Sequence, residues 1–482
     1  MKVRLTLEWI AGAVGGRLTA AHVDTEVREV VIDSRVAGPG DLFVAIKGPR
    51  FDGHDFVADV LARGAAAAIV EPAPRNRLRQ GYGGPPELHA KAEGVPSEGP
   101  VIEVGDTVKA LQDLAHAVRA AAGTKVIAIT GSAGKTTTKE TIAAFLERRR
   151  TVVKNKGNLN NHIGLPLSLM QVRHAPDVAV MELGMNHAGE IRTLVAIAEP
   201  DVRVWTNVGD AHLGFFASPE AIADAKAEIL EGATPSTVLV CNADDPRVMS
   251  RVAAFPGRTI TFGASDRATV RATSIDDRGL SGMRAQVTTP AGGTVIETPL
   301  LGRGNLSNVL AATAVAAEFG VTLDEIAEAA ARLRPADRRG AVRRLPSGVT
   351  VVDDSYNSSP SALAKSLDVM AREKSATRKV AVLGEMLELG DHAERLHADS
   401  GRLVAQSGVD VLYAIGGSAA RALAAAAIDA GMPAGAVTWF ASSEEAAPAI
   451  ADAVSAGDLV LVKGSRGIRT DVVVDRLAAE RA

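Results

Sequence analysis

The chain has 482 residues, 46% of them hydrophobic and 23% charged, with 53 basic against 57 acidic side chains and a formal net charge of -4. That length exceeds one ordinary core, so about three domains are expected, and the composition excludes a chain that is disordered throughout. The near balance of charge excludes a global field that recruits nucleic acid or an anionic membrane, so any anion site is local.

Residues 1–16 contain apolar stretches interrupted by Arg4 and Glu8, and no small-residue cleavage pattern follows. They read as a short surface helix rather than a leader peptide. Strand candidates at 27–32, 42–46 and 66–71 make a small first domain over 1–122. Within it, 72–100 is rich in Pro, Gly and charge without apolar periodicity, which reads as an exposed insertion. No apolar stretch approaches the ~20 residues a membrane span requires, so a cytoplasmic chain with no membrane span is expected.

From residue 124 onward, short Val/Ile-rich runs alternate with longer Ala/Leu-rich segments at helical spacing, the signature of parallel strands joined by crossover helices. Strands are expected at 126–130, 178–183, 202–207 and 237–241 in a central domain over 123–337. The only cysteine, Cys241, excludes an intramolecular disulfide, fits a reducing compartment and, at the end of an apolar run, reads as a packed core thiol. A Pro-, Arg- and Asp-rich stretch at 333–340 marks the next boundary. A second strand series at 349–353, 379–384, 411–416, 437–440 and 459–463 predicts a doubly wound last domain over 338–482.

The run 126–130 leads straight into Gly131-Ser132-Ala133-Gly134-Lys135-Thr136-Thr137-Thr138, and a helix-compatible segment follows at 139–148. Strand, glycine-rich loop and helix in that order cradle a phosphate: backbone N–H groups turn inward, the helix N-terminus adds positive potential, and Lys135 reaches the terminal phosphates of ATP. Thr130 closes the strand and Thr136 offers a hydroxyl to Mg²⁺. The full G-x-x-x-x-G-K-[ST] pattern is not met, because Ile129 stands at its first glycine. The fold class is therefore α/β in three domains: a small α/β domain, a central P-loop ATPase-like parallel sheet and a Rossmann-like last domain. Glu182, at a strand end before Gly184, is placed to reach a nucleotide-bound metal. A lone histidine after a strand, such as His212, is more often a hydrogen-bonded loop residue, and spacing alone does not favour a metal ligand over that. Lys226, in Ala225-Lys226-Ala227-Glu228, reads from sequence as a solvated helical lysine.

Taken together these residues resemble the Mur ligases of peptidoglycan synthesis, and the likeness runs through all three domains. In the first, Asp33-Ser34-Arg35, the segment ending in Lys47-Gly48, and Asp52-Gly53-His54 resemble the segments that hold the UDP end of the substrate, which implies Ser34, Arg35, Lys47, Asp52, Gly53 and His54 as substrate contacts. In the middle domain the loop around Lys135, the segment containing Asn160 and Asn161, Glu182, His212 and Lys226 match. The resemblance implies two Mg²⁺ ions, one near Thr136 and Glu182 and one near His212, with Lys226 as the lysine these ligases carry as a carbamate. It further implies Asn308 near the adenine, Arg339 near the nucleotide, Asp354 near the ribose and Asn357 near substrate. Gly304 stands where the family usually has His.

In the last domain, 353–360, 384–390 and 463–466 resemble the branch that joins D-alanyl-D-alanine to UDP-N-acetylmuramoyl-tripeptide, and the Asp-Asn-Pro-Arg run of the MurE branch is missing. The resemblance therefore implies ATP-dependent ligation of a carboxylate to an amine, with those two substrates and a monomeric enzyme. A MurE-like ligase, a folylpolyglutamate synthase, a kinase or NTPase, and a non-catalytic nucleotide scaffold are the alternatives.

Overall fold

The computed structural model describes residues 2–19, 23–72, 99–210 and 213–481. His212 and the proposed insertion, apart from its margins, lie outside the described residues. The chain groups into two compact units: Met1–Ala128 with Thr151–Gly184 and Arg192–Pro200, and Ile129–Arg150 with Met185–Ile191 and Asp201–Ala482. Among the described residues it is α/β, with a five-stranded sheet in the first unit and a six-stranded sheet in the second.

In the first unit the five-stranded sheet runs in the order Arg17–Leu18, Val101–Glu103, Ala67–Val70, Leu42–Val44, Val30–Val31, and all pairs are parallel except the first. Leu42–Val44 and Ala67–Val70 are buried at every residue. Such unbroken apolar runs are what a parallel strand covered on both faces requires. Helix Leu7–Ala13 forms where the N-terminal helix is expected, capped by the Thr6 hydroxyl accepting from the Trp9 N–H. It is no mere surface element, because Leu7, Ile10 and Ala11 line one face and are buried. Helix Thr107–Ala122 opens on the Asp106 carboxylate and closes at Gly123, whose φ of 70° suits glycine. Val152–Lys154 pairs in parallel with Val178–Glu182.

In the second unit Val202–Trp205, Val238–Asn242 and Arg258–Gly263 are neighbouring parallel strands. Val270–Asp277, Met283–Thr289 and Gly292–Thr298 extend the sheet, the last two pairings antiparallel. This ribbon was not expected from sequence. Over 270–273 and 283–287 buried residues alternate with partly exposed ones instead of forming apolar runs, as befits a sheet with one wet face. Cys241 is fully buried in Val238–Asn242, and burial pushes its thiol up to about 12, in keeping with a packed thiol.

The six-stranded sheet has the order Ala341–Arg344, Thr350–Asp354, Asp458–Lys463, Arg378–Gly384, Val411–Ile415, Val437–Phe440, parallel except for its first pair. Val351, Val380, Val382, Val460 and Val462 pack with Ile450, Val473 and Leu477 of the covering helices. Asp354 and Lys463 face each other at the carboxyl ends of adjacent strands, where ligands bind in such sheets. Among the described residues, no helix is long and apolar enough to cross a membrane.

Candidate nucleotide-binding and catalytic site

Strand Lys125–Thr130 ends in a fully buried Thr130, and helix Lys135–Leu146 begins after Gly134 with no side-chain cap. Between them Gly131, Ser132, Ala133 and Gly134 make a tight turn. Gly131 has φ 151° and Gly134 φ 83°. A Cβ on Gly131 would stand 2.0 Å from the Thr206 hydroxyl, and one on Gly134 2.3 Å from Asn308 Oδ1. Both positions therefore demand glycine for their neighbours as much as for their torsions.

The segment after strand Val202–Trp205 fixes the loop's shape. Ser132 N–H donates to the Asn207 carbonyl at 3.0 Å and Ala133 N–H to Asn207 Oδ1 at 2.9 Å. Asn207 Nδ2 and the Thr206 hydroxyl both donate to the Ala133 carbonyl, at 2.9 and 3.0 Å. Ser132 Oγ accepts from Gly209 N–H at 2.8 Å. Lys135 folds over this turn, its Nζ donating to the Gly131 carbonyl at 2.9 Å. Thr136 and Thr137 occupy the first turn of the helix. The Ser132 and Ala133 N–H groups are thus taken up by Asn207, and a loop held so firmly keeps the N-terminus of helix Lys135–Leu146 and the Lys135 ammonium in place for an anion. Thr206, Asn207 and Asp245, which accepts from Val208 N–H at 2.8 Å, are site residues that sequence reading missed. Their signal was available, since Thr206 and Asn207 close the run 202–207 and Asp245 follows the run 237–241.

Lys226 lies in helix Pro219–Ala227, capped by Ser218, and only 1% of it is exposed. It is therefore not the solvated lysine its sequence suggests. Burial first, and then the nearby Lys135 ammonium, hold its amine well below the usual lysine range. Two residues on, buried Glu228 accepts from Gly189 N–H at 2.6 Å.

In the first unit, Glu182 closes its strand with 4% exposure. Asn160 Nδ2 donates to Glu182 Oε1 at 2.8 Å, and Asn155 clamps the Glu182 backbone through both its amide atoms. Asn160 thus orients the carboxylate. Asn161 Oδ1 accepts from Gly164 N–H at 2.8 Å and starts helix Gly164–Leu169. Elsewhere in that unit Arg35 chelates Asp33 through Nε and Nη2, and this pairing draws the carboxyl down to about 2. The Arg35 side chain remains 86% exposed, so it can exchange this partner for a phosphate. The Ser34 carbonyl accepts from Arg63. The Asp52 backbone forms an isolated antiparallel bridge with Lys47 and its carboxylate sits 2.6 Å from His54 Nδ1, while His54 Nε2 accepts from Glu71 N–H at 2.9 Å. That last bond puts the proton on Nδ1, facing Asp52. Gly53 approaches the backbone of Ala45 and Ile46 too closely for any Cβ.

Asp354 Oδ2 accepts from Lys463 Nζ at 2.6 Å and from the Ser366 hydroxyl at 2.8 Å, and Lys463 also donates to the Asn357 carbonyl at 3.1 Å. Arg339 stacks 4.1 Å from the Tyr356 ring centroid. Asn308 Nδ2 donates to Asn305 Oδ1 at 3.2 Å. The segment 384–390 is braced by His397, whose Nε2 accepts from Met386 N–H at 2.8 Å and whose Nδ1 donates to the Ala393 carbonyl at 2.7 Å.

Burial holds the His397 pKa below its ordinary 6.5. The unfolded chain then takes up a proton that the folded protein refuses, so stability falls as pH drops from about 6.5 toward the folded value. Melting curves at pH 7.5 and pH 5.5 should show a loss, bounded by about 1.4 kcal/mol per pH unit for one group. His397→Gln should flatten that component; an unchanged pH slope in the variant refutes the assignment.

Three family models match. The Mur ligase family catalytic domain covers residues 26–119, the Mur ligase middle domain 129–316, and the Mur ligase glutamate ligase domain 338–466. The UDP-N-acetylmuramoyl-tripeptide--D-alanyl-D-alanine ligase of Bacillus subtilis is 33% identical over 476 residues, 98% of each chain. A crystal structure of MurF from Acinetobacter baumannii superposes with a TM-score of 0.86 at 31% identity, covering 99% of both chains. MurF from Thermotoga maritima in complex with ADP gives 0.79 at 30%, covering 94% of this chain and 98% of that one. The chain belongs to the Mur ligase family.

Proposed function

We infer that this chain is an ATP-dependent ligase that joins D-alanyl-D-alanine to UDP-N-acetylmuramoyl-tripeptide in peptidoglycan precursor synthesis. The observation that carries the reading is the rigid phosphate loop with Lys135 folded across it and the buried Lys226 within its field. Likeness at 33% identity to a ligase of that name over 98% of both chains supports the two substrates. The segments 353–360 and 384–390 favour this branch over a MurE-like ligase or a folylpolyglutamate synthase.

The chemistry has two displacements. A carboxylate oxygen of the tripeptide attacks the γ-phosphorus of ATP, the bond to the β-phosphate oxygen breaks, and ADP leaves an acyl phosphate behind. The free amine of D-alanyl-D-alanine then adds to the acyl carbon, loses its proton and expels inorganic phosphate. Backbone amides at the start of helix Lys135–Leu146 and the Lys135 ammonium hold the terminal phosphates and offset the charge that gathers on the transferring group.

The residues present fit magnesium. Among the described residues no group of three His, Cys, Asp or Glu forms a self-sufficient cage, but Mg²⁺ usually takes only one or two carboxylates, with phosphate oxygens completing its shell. Thr136, Glu182, His212 and a carbamate on Lys226 are the proposed donors for two ions, which supply Lewis-acid neutralisation of phosphate charge. A lysine whose pKa burial lowers gives up its proton more readily, the free amine is the nucleophile that carbon dioxide requires, and the carbamate formed is an oxygen donor.

Asn308, Arg339 and Asp354 are proposed around the nucleotide. Ser34, Arg35, Lys47, Asp52, Gly53, His54, Asn160, Asn161 and Asn357 are proposed around the other substrates. The domains are assigned to 1–122, 123–337 and 338–482, and the enzyme acts as a cytoplasmic monomer. Purified protein given UDP-N-acetylmuramoyl-tripeptide, D-alanyl-D-alanine and Mg-ATP should release phosphate only when all three are present and yield the pentapeptide by mass. Release without the dipeptide points to an NTPase, and acceptance of a single amino acid to a sister ligase.

A further inference from the structure

Three glycines of the nucleotide-bearing segments face one stripe of a single helix. In helix Pro360–Arg372, positions 361, 365 and 369 follow at four-residue spacing and so share a face. A Cβ on Gly209 would lie 3.0 Å from Ser361 Oγ, one on Gly304 3.2 Å from Lys365 Cδ, and one on Gly302 2.7 Å from Val369 Cγ2. Val369 is apolar packing, and Ser361 meets Gly209, whose N–H is bonded to Ser132 of the phosphate loop. Lys365 is different, because nothing about packing calls for an ammonium there.

Gly304 lies in the first turn of helix Gly302–Glu318 and has no positive φ to explain it. A helical glycine sacrifices stability, so the position needs another reason. The Lys365 stem supplies it, occupying the space a side chain at 304 would fill, with Nζ 3.8 Å from that Cβ position. One helical turn further along the same face, Asn308 presses against Gly134 of the phosphate loop. The amine therefore lies beside this helix about one turn, ~5.4 Å of rise, before the residue that meets the loop. Lys365 is solvent-accessible, yet surrounding protein desolvates its amine and lowers its pKa, while Asp245 opposes that shift. Among the described residues, it makes no hydrogen bond or close ion pair.

We propose that Lys365 is a nucleotide-binding residue: reaching through the notch left by Gly304, its ammonium contacts acceptor oxygens of bound ATP. The inference rests on the ligase reading, because it is ATP that completes the lysine's contacts. Gly304 and Lys365 then form a functional pair, the glycine making room and the lysine bringing charge.

The test measures the ATP dependence of phosphate release and the Kd of ADP by calorimetry. Lys365→Met keeps the stem and removes the charge; it should raise both KM for ATP and Kd for ADP about tenfold or more, the scale of one charged hydrogen bond, with kcat falling less than about threefold. Lys365→Arg should restore most of the affinity. Gly304→Ala should weaken ATP binding in the parent protein and add nothing in the Lys365→Met background, as coupled neighbours do. Unchanged KM and Kd in Lys365→Met, or a lower melting temperature without loss of affinity, overturns the proposal and leaves the ligase reading standing. Failure of the parent protein to bind ADP at all removes both.

Discussion

Lys135→Ala should lower turnover at least ~10²-fold with all substrates saturating, the scale seen when a charge-stabilising donor is deleted. The reason is geometric. The loop is fixed by the bonds from Thr206 and Asn207, so it remains in place when the side chain is cut, and what disappears is the ammonium that Lys135 folds across it. Because the charge on the phosphoryl group grows along the reaction, the loss should fall on kcat more than on KM. Melting temperature should change little, since Lys135 is only partly buried and its internal bond to the Gly131 carbonyl can be replaced by water. Steady-state phosphate release decides the matter, and turnover within threefold of the parent would falsify the assignment.

Lys226→Met should separate activity from stability. The amine is buried near the Lys135 ammonium, a setting in which burial and Coulomb repulsion both disfavour its charged form. Replacing it with an apolar chain of similar length should leave the melting temperature level or higher, while turnover drops ~10²-fold or more if the residue works through a charged oxygen donor. A carbamate predicts two further results: ¹³C-bicarbonate should give a carbamate resonance in the parent protein that is missing in the variant, and Lys226→Arg should be as inactive as Lys226→Met. A variant that melts much lower yet keeps its turnover would mean the lysine is structural.

Much of the phosphate loop was legible from residue order. A strand, Gly131 and Gly134, Lys135 and a helix follow one another with no long-range pairing needed, so local rules suffice to recognise them. The last sheet was equally legible, because buried parallel strands such as 379–384 and 459–463 are nearly unbroken apolar runs. The ribbon at Val270–Asp277, Met283–Thr289 and Gly292–Thr298 was not, since a sheet with one wet face reads as mixed polar sequence.

By itself the sequence determined the α/β class, the phosphate loop and its lysine, and the run of motifs that relates the chain to its family. Tertiary structure alone decided the environment of Lys226, which a helical pattern makes solvent-facing and packing makes buried. It also decided that Asn160 orients Glu182, that Thr206 and Asn207 brace a loop some 75 residues away in the chain, and that Lys365 fills the notch at Gly304. The physical reason is common to these cases: a motif records which groups are present, whereas charge state, orientation and reach depend on neighbours that only the folded chain brings near.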